Sequence, residues 1–178
     1  DLSNPASASS PASFAVDTVA PTPTISSAER TKDTTPNFTG VAGDAVGDNP
    51  TVTVKVWSTD TVPVLVSTIT ATRSGTSFEV TNADWAAVAV GAKSLSDADY
   101  TVTVTQGDDL SNPASASSPA SFAVDTVAPT PTISSAARTK DTTPNFTGVA
   151  GDAVGDNPTV TVKVWSTDTV PVLVSTIT

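Results

Sequence analysis

The sequence predicts an all-β protein built from antiparallel β-sandwich domains of about seven strands each, set end to end. Three observations carry that prediction. Residues 1–70 recur as residues 109–178 with a single difference, Glu29 against Ala137. Short runs rich in Thr and Val alternate apolar and polar residues, the period-2 signature of half-buried strands. Prolines and glycines punctuate those runs, as turns do between the short strands of a sandwich.

The repeat sets the domain organisation. Asp1 recurs as Asp109, Pro21 as Pro129, Trp57 as Trp165 and Thr70 as Thr178, an offset of 108 residues. Solenoid units run roughly 20–50 residues, so a longer period reads as a whole small domain. Such a domain is large enough to fold without disulfide or metal staples.

Each strand has its own reason. Thr51–Ser58 alternates strictly and sets Val52, Val54 and Val56 on one face, and Tyr100–Gln106 does the same with Tyr100, Val102 and Val104. Further strands are expected at Thr22–Ala28, Asn37–Ala42, Pro63–Thr72 and Ser77–Thr81, with a last one at Ala120–Val124 that recurs earlier as Ala12–Val16. Pro11 and Pro119 precede the two copies of that last strand, where a missing N–H is tolerated. The best helical candidate, Asp84 to Val90, is short. The expected core is Ile25, Phe38, Val52, Val54, Val56, Phe78, Val80, Trp85, Tyr100, Val102, Val104, Phe122 and Val124. Trp57 falls on the face opposite the valines, beside Lys55, either packed beneath a loop or exposed as a stacking platform.

The segment Asp125-Thr126-Val127-Ala128-Pro129-Thr130-Pro131 follows the last strand and reads as a short, semi-rigid linker. Residues 1–17 are therefore expected to carry the last strand of a preceding repeat. Residues 18–125 form one complete domain, and 126–178 are the first half of the next. The expectation is a window on a longer polymer, or else a half domain completed by a neighbouring molecule through β-augmentation.

Composition narrows the chemistry. Cysteine and histidine are absent, which removes disulfides, thiolate chemistry and the commonest general base and transition-metal ligand. The net charge is −10, from 18 acids against 8 bases, and only two of the acids, Glu29 and Glu79, are glutamates. Aspartates favour turns over helices. So acidic a surface repels nucleic acid and anionic membranes and keeps a long fibre soluble. No apolar run approaches the roughly 20 residues that span a bilayer. The strand-borne acids are isolated, and the acids of residues 1–70 other than Glu29 recur unchanged; both facts point to a structural unit and away from an enzyme.

Three stretches resemble bacterial Ig-like repeats of large cell-surface adhesins: Phe122-Ala123-Val124-Asp125-Thr126-Val127-Ala128-Pro129, Thr34-Thr35-Pro36-Asn37-Phe38-Thr39-Gly40, and Tyr100-Thr101-Val102-Thr103-Val104-Thr105-Gln106 followed by Asp108. The resemblance covers the whole repeat. One departure is Asp108-Asp109-Leu110-Ser111-Asn112, where that family often carries Gly-Asn. The resemblance implies Ig-like sandwiches outside the cell, at its surface or secreted, whose partners are the neighbouring repeats of the same chain. It implies stalks or spacers that carry a binding tip, some of them stiffened by Ca²⁺ at domain junctions. Tyr100 fits a tyrosine corner.

In that topology Asp17, Asp44, Asp48, Asp108 and Asp109 gather at the end where a domain is entered. Asp97, Asp99 and Asp125 gather at the other end, facing Asp152 and Asp156 of the next domain. Calcium takes six to eight oxygens, and these carboxylates are its candidate ligands; the competing reading is ordinary turn aspartates. Two further functions stay open. One is the building block of a self-assembling filament or sheath, bound to copies of itself through lateral or strand-exchanged contacts. The other is a carbohydrate-binding module using Trp57. Asn37-Phe38-Thr39 and Asn145-Phe146-Thr147 are glycosylation sequons, relevant only in a cell that glycosylates asparagine.

Overall fold

A computed structural model describes residues 10–112, 114, 116–153 and 155–178. Residues 1–9, part of the segment expected to belong to a preceding repeat, lie outside the described residues. The protein is nearly all β, and it divides into two compact units between Val124 and Asp125.

In the first unit eight strands form one hydrogen-bonded sheet: β1 (Thr24–Ser26), β2 (Arg30–Thr31), β3 (Phe38–Val41), β4 (Thr51–Ser58), β5 (Leu65–Ser74), β6 (Ser77–Val80), β7 (Ala98–Thr105) and β8 (Ala120–Val124). Their order across the sheet is β1-β3-β6-β5-β4-β7-β8-β2. The sheet curls so that both of its halves face one core. A two-sheet sandwich would leave the halves unconnected; here β5 joins them. Leu65–Thr72 pair with β4, while Arg73 and Ser74 turn at Gly75 and pair with Phe78 and Ser77 of β6. Gly75 takes a φ of 59°, a conformation that costs glycine little.

The expected first strand, Thr22–Ala28, is observed as the shorter β1, and β2 lies beyond its expected end. Ser26 ends the pairing of β1 with β3, and the Ala123 N–H then donates to the Glu29 carbonyl (3.0 Å), opening a parallel pairing of β2 with β8. The chain thus passes from one half of the sheet to the other, and no Gly or Pro marks the crossing. The earlier copy of the last strand, Ala12–Val16, forms no strand here.

Phe38, Val52, Val54, Val56, Val80, Trp85, Val102 and Val104 are fully buried, with Phe78, Tyr100, Phe122 and Val124 nearly so. Ile25 packs against this cluster half-buried. The structure adds Ala42, Ile69, Ala71, Val88 and Leu95 to the core. Val88 and Leu95 belong to the long connection after β6, which also holds the single-turn helix α1 (Asn82–Ala86). That helix starts two residues before the sequence suggests, because the Thr81 N–H is held by the Asp84 carboxylate (2.8 Å). It delivers Trp85, whose Nε1–H donates to the Pro36 carbonyl (3.0 Å). Phe38 lies 6.2 Å from the Trp85 ring and edge-on to Phe122 at 5.2 Å.

The second unit contains β9 (Thr132–Ser134), β10 (Thr147–Val149), β11 (Val162–Trp165) and β12 (Leu173–Ile177), paired as β9 with β10 and β11 with β12. Its registers repeat those of the first unit. Thr132 pairs with Val149 as Thr24 does with Val41, and Trp165 pairs with Leu173, after the same irregularity, as Trp57 does with Leu65.

Candidate functional site

The most highly organised polar region is the loop cluster that joins residues 43–50 to residues 106–112. Strand parity produces it. Tyr100, Val102 and Val104 face inward on β7, and the same parity continues to Gln106 and Asp108, both buried. A buried amide must find partners. Gln106 Oε1 accepts from the Gly43 N–H (2.7 Å), and its Nε2 donates to the carbonyls of Gly43 (3.0 Å) and Asn49 (2.8 Å). Backbone bonds from Asn49 N to Gly107 O and from Asp109 N to Gly47 O close the two loops on each other. Arg73 Nε donates to the Asn49 carbonyl (3.2 Å).

Asp108 sits beneath this closure. The Asn112 N–H donates to its Oδ1 (2.9 Å) and the Asn112 side-chain amide to its Oδ2 (2.7 Å). Burial opposes its ionisation, but those bonds and the N–H groups of Leu110 and Ser111 outweigh burial and hold its carboxyl below the ordinary aspartate value. The Asn112 amide also donates to the Asp17 carbonyl (3.3 Å), which ties the entering chain to the cluster.

The structure thus brings Asp17, Asp48, Asp108 and Asp109 together at one end. Asp48 and Asp108 face each other as bridge partners. A Cβ placed on Gly47 would lie 2.8 Å from Asp109 Oδ1 and 3.6 Å from Asp17 Oδ2. Asp44 is exposed on the same loop. Two of these carboxylates serve their own turns: Asp17 accepts from Val19 N (2.9 Å) and Asp48 from Ala45 N (3.0 Å). This is how turn aspartates act, and a cation would have to compete with those donors.

At the other end, Asp99 lies in β7 opposite Ala123, and its carbonyl accepts from Thr59 Oγ1 (3.1 Å). Asp97 precedes β7, and Asp125 follows Val124 and accepts from Val127 N (3.1 Å). In the second unit, Asp156 accepts from Ala153 N (3.1 Å) and Asp152 is exposed. Among the described residues, no three His, Cys, Asp or Glu side chains form a group able to hold a metal. No described helix is long and apolar enough to cross a membrane.

The remaining polar side chains of interest hold the fold. The Tyr100 hydroxyl donates to the Ser96 carbonyl (3.0 Å), the bond of a tyrosine corner. Trp57 is half-buried, with its Nε1–H directed at Thr103 Oγ1 (3.4 Å). Asn37 is exposed and donates to Glu79 (3.2 Å). Among the described residues, no buried side-chain polar atom lacks a hydrogen-bond partner. No protein-family model matches this sequence, and a search of curated proteins finds no match.

Proposed function

We propose that this chain is a structural repeat module: Ig-like sandwiches set end to end as the stalk or spacer of an extracellular, cell-surface adhesin or fibre. The observation that carries the reading is the second copy. The same residues recur 108 positions on and re-form the same strand registers. A single substitution separates the two copies. The polar network supports the reading as well, because Gln106, Asp108, Asn112 and Tyr100 are spent on closing loops and corners. Repetition of such a unit supplies length, stiffness and solubility.

The test is length against repeat number. Arrays of increasing numbers of the 108-residue repeat are imaged by electron microscopy and measured by small-angle scattering. Each repeat should add about 35 Å, the span of a ten-residue strand at roughly 3.3 Å per residue plus a loop. Arrays that collapse into compact particles would reject the stalk.

Calcium is carried with this proposal as the stiffening ion. The approach of the Asp17 and Asp109 carboxylates to Gly47 supports it. If melting temperature does not rise with Ca²⁺ and fall again with a chelator, calcium has no part in it.

A further inference from the structure

The chain enters the first unit beside the loop of residues 106–112, where the Asn112 amide holds the Asp17 carbonyl. Pro21 packs there too, since a Cβ on Gly43 would lie 2.8 Å from its Cβ. The chain leaves after Val124, which pairs with Ala98 at the opposite end of β7. Entry and exit therefore lie at the two ends of one long strand, and a pull on the flanking chain acts along the strands. Between them the entering chain crosses from β3 to β8 at residues 27–29. Among the described residues, this crossing is what bonds the entering segment directly to the strand that leaves. The Ala123 N–H donates to the Glu29 carbonyl (3.0 Å), and Ser27 Oγ donates to the Ser121 carbonyl (3.4 Å).

We infer that the β2–β8 pair is the load-bearing seam of the repeat, the contact whose rupture sets the force at which the first unit opens. β2 and β8 run parallel, with Arg30 opposite Ala123 and Thr31 opposite Val124. A pull on the chain draws β2 toward its N-terminal end and β8 toward its C-terminal end. On parallel strands those directions are opposed, so the strands slide against each other and their bonds are loaded together. The even spacing of bonds in a parallel pair spreads that load. Strands pulled apart from one shared end would instead lose their bonds one at a time. The inner side of the seam is dry: Phe122 and Val124 are buried, and the Phe122 ring lies 5.2 Å from Phe38 and 5.5 Å from Tyr100. Water that would replace a stretched bond is excluded from that side.

Two other attachments meet the load earlier. The Asn112–Asp17 bond is a single contact, and β1 is held to β3 over three residue pairs. Neither joins the entering segment to the leaving strand. The single substitution between the copies spares the seam, because the Glu29 atom that bonds Ala123 is a backbone oxygen. The inference rests on the stalk reading for the source of the load. The seam itself is measured on one molecule, so its failure would leave the stalk standing, and compact arrays would reject the stalk without touching the seam.

The test stretches single molecules of the full 178-residue chain through cysteines placed at exposed positions, since the protein has none of its own. Handles at Ser10→Cys and Thr130→Cys load the pair from opposite ends and shear it. Handles at Lys32→Cys and Thr130→Cys both follow the same end of the pair, and its bonds open in sequence. The first unit should rupture at a clearly higher force in the first arrangement. There, Ala123→Pro, which removes the N–H bonded to Glu29, should speed rupture at fixed force roughly fivefold or more. Ile69→Val, in the core of β5 and separated from β8 by β4 and β7, lowers equilibrium stability comparably but should leave the rupture rate within about twofold. Should Ala123→Pro not fold, the two handle arrangements decide by themselves. Equal rupture forces in the two arrangements would overturn the inference. So would an Ile69→Val effect as large as that of Ala123→Pro, which would make strength a property of the whole fold.

Discussion

Residues 18–70 and 126–178 differ at one position yet occupy different environments. In the first region Val52, Val54, Val56 and Ile69 are sealed from solvent; in the second, Val160 and Ile177 are about half exposed. The strand pairings nevertheless agree, down to the irregularity after Val56 and Val164. Local alternation and hairpin geometry are therefore enough to set register. Burial comes from elsewhere, namely β6, α1, β7 and β8. One element shows the dependence directly: Arg30–Thr31 is a strand because β8 lies beside it, and residues 138–139, with no such neighbour, are not.

Paired substitutions break this comparison hardest. Phe38→Ala should cost the first unit about 3–5 kcal/mol, the usual penalty for emptying a buried aromatic site. Phe146→Ala, at the half-exposed copy, should leave the main calorimetric transition in place. Equal effects would mean that the second region is as closed as the first. Next in size is Gln106→Ala. It strands the Gly43 N–H and two carbonyls, and should cost about 2–3 kcal/mol in urea unfolding; a loss under 1 kcal/mol would show the loop cluster holding without it.

Asp108 adds a pH signature. Its folded carboxyl titrates below the ordinary value, so its contribution is present above about pH 4 and is lost as pH falls through the lowered value. Asp108→Asn should flatten the acid limb of the stability curve, and an unchanged limb would assign acid sensitivity to other carboxylates. Smallest is Glu29→Ala, which makes the two regions identical. Glu29 is exposed, and the carbonyl that bonds Ala123 is backbone and survives the change, so the effect should fall within about 0.5 kcal/mol in the same unfolding assay.

Where the sequence carried a local signal, the fold was legible. Thr51–Ser58 and Ala120–Val124 coincide with the observed β4 and β8, because alternation and proline boundaries mark them. Pro63–Thr72 differs from the observed Leu65–Ser74 at its end because Arg73 and Ser74 pair with Phe78 and Ser77 of β6 across the turn at Gly75, a decision made by pairing and not by propensity. The short strand β2, beyond the expected Thr22–Ala28, and the burial of Val88 and Leu95 also depend on distant partners. Of the candidate acids, Asp17, Asp48, Asp108 and Asp109 lie on or beside the loops at one end, and they form no metal-holding group among the described residues. Gln106 was overlooked, although parity from Tyr100 through Val104 already pointed it inward; its partners lie 57 and 63 residues away.

The central claim is that one sequence acquires two levels of protection according to whether β6 to β8 cover it. Amide hydrogen exchange on the dilute, monomeric chain tests it most directly. Amides of Val52, Val54 and Ile69 should exchange only through global opening of the first unit, while those of Val160, Val162 and Ile177 should exchange through local opening, orders of magnitude faster. Equal protection of the two sets would contradict the account.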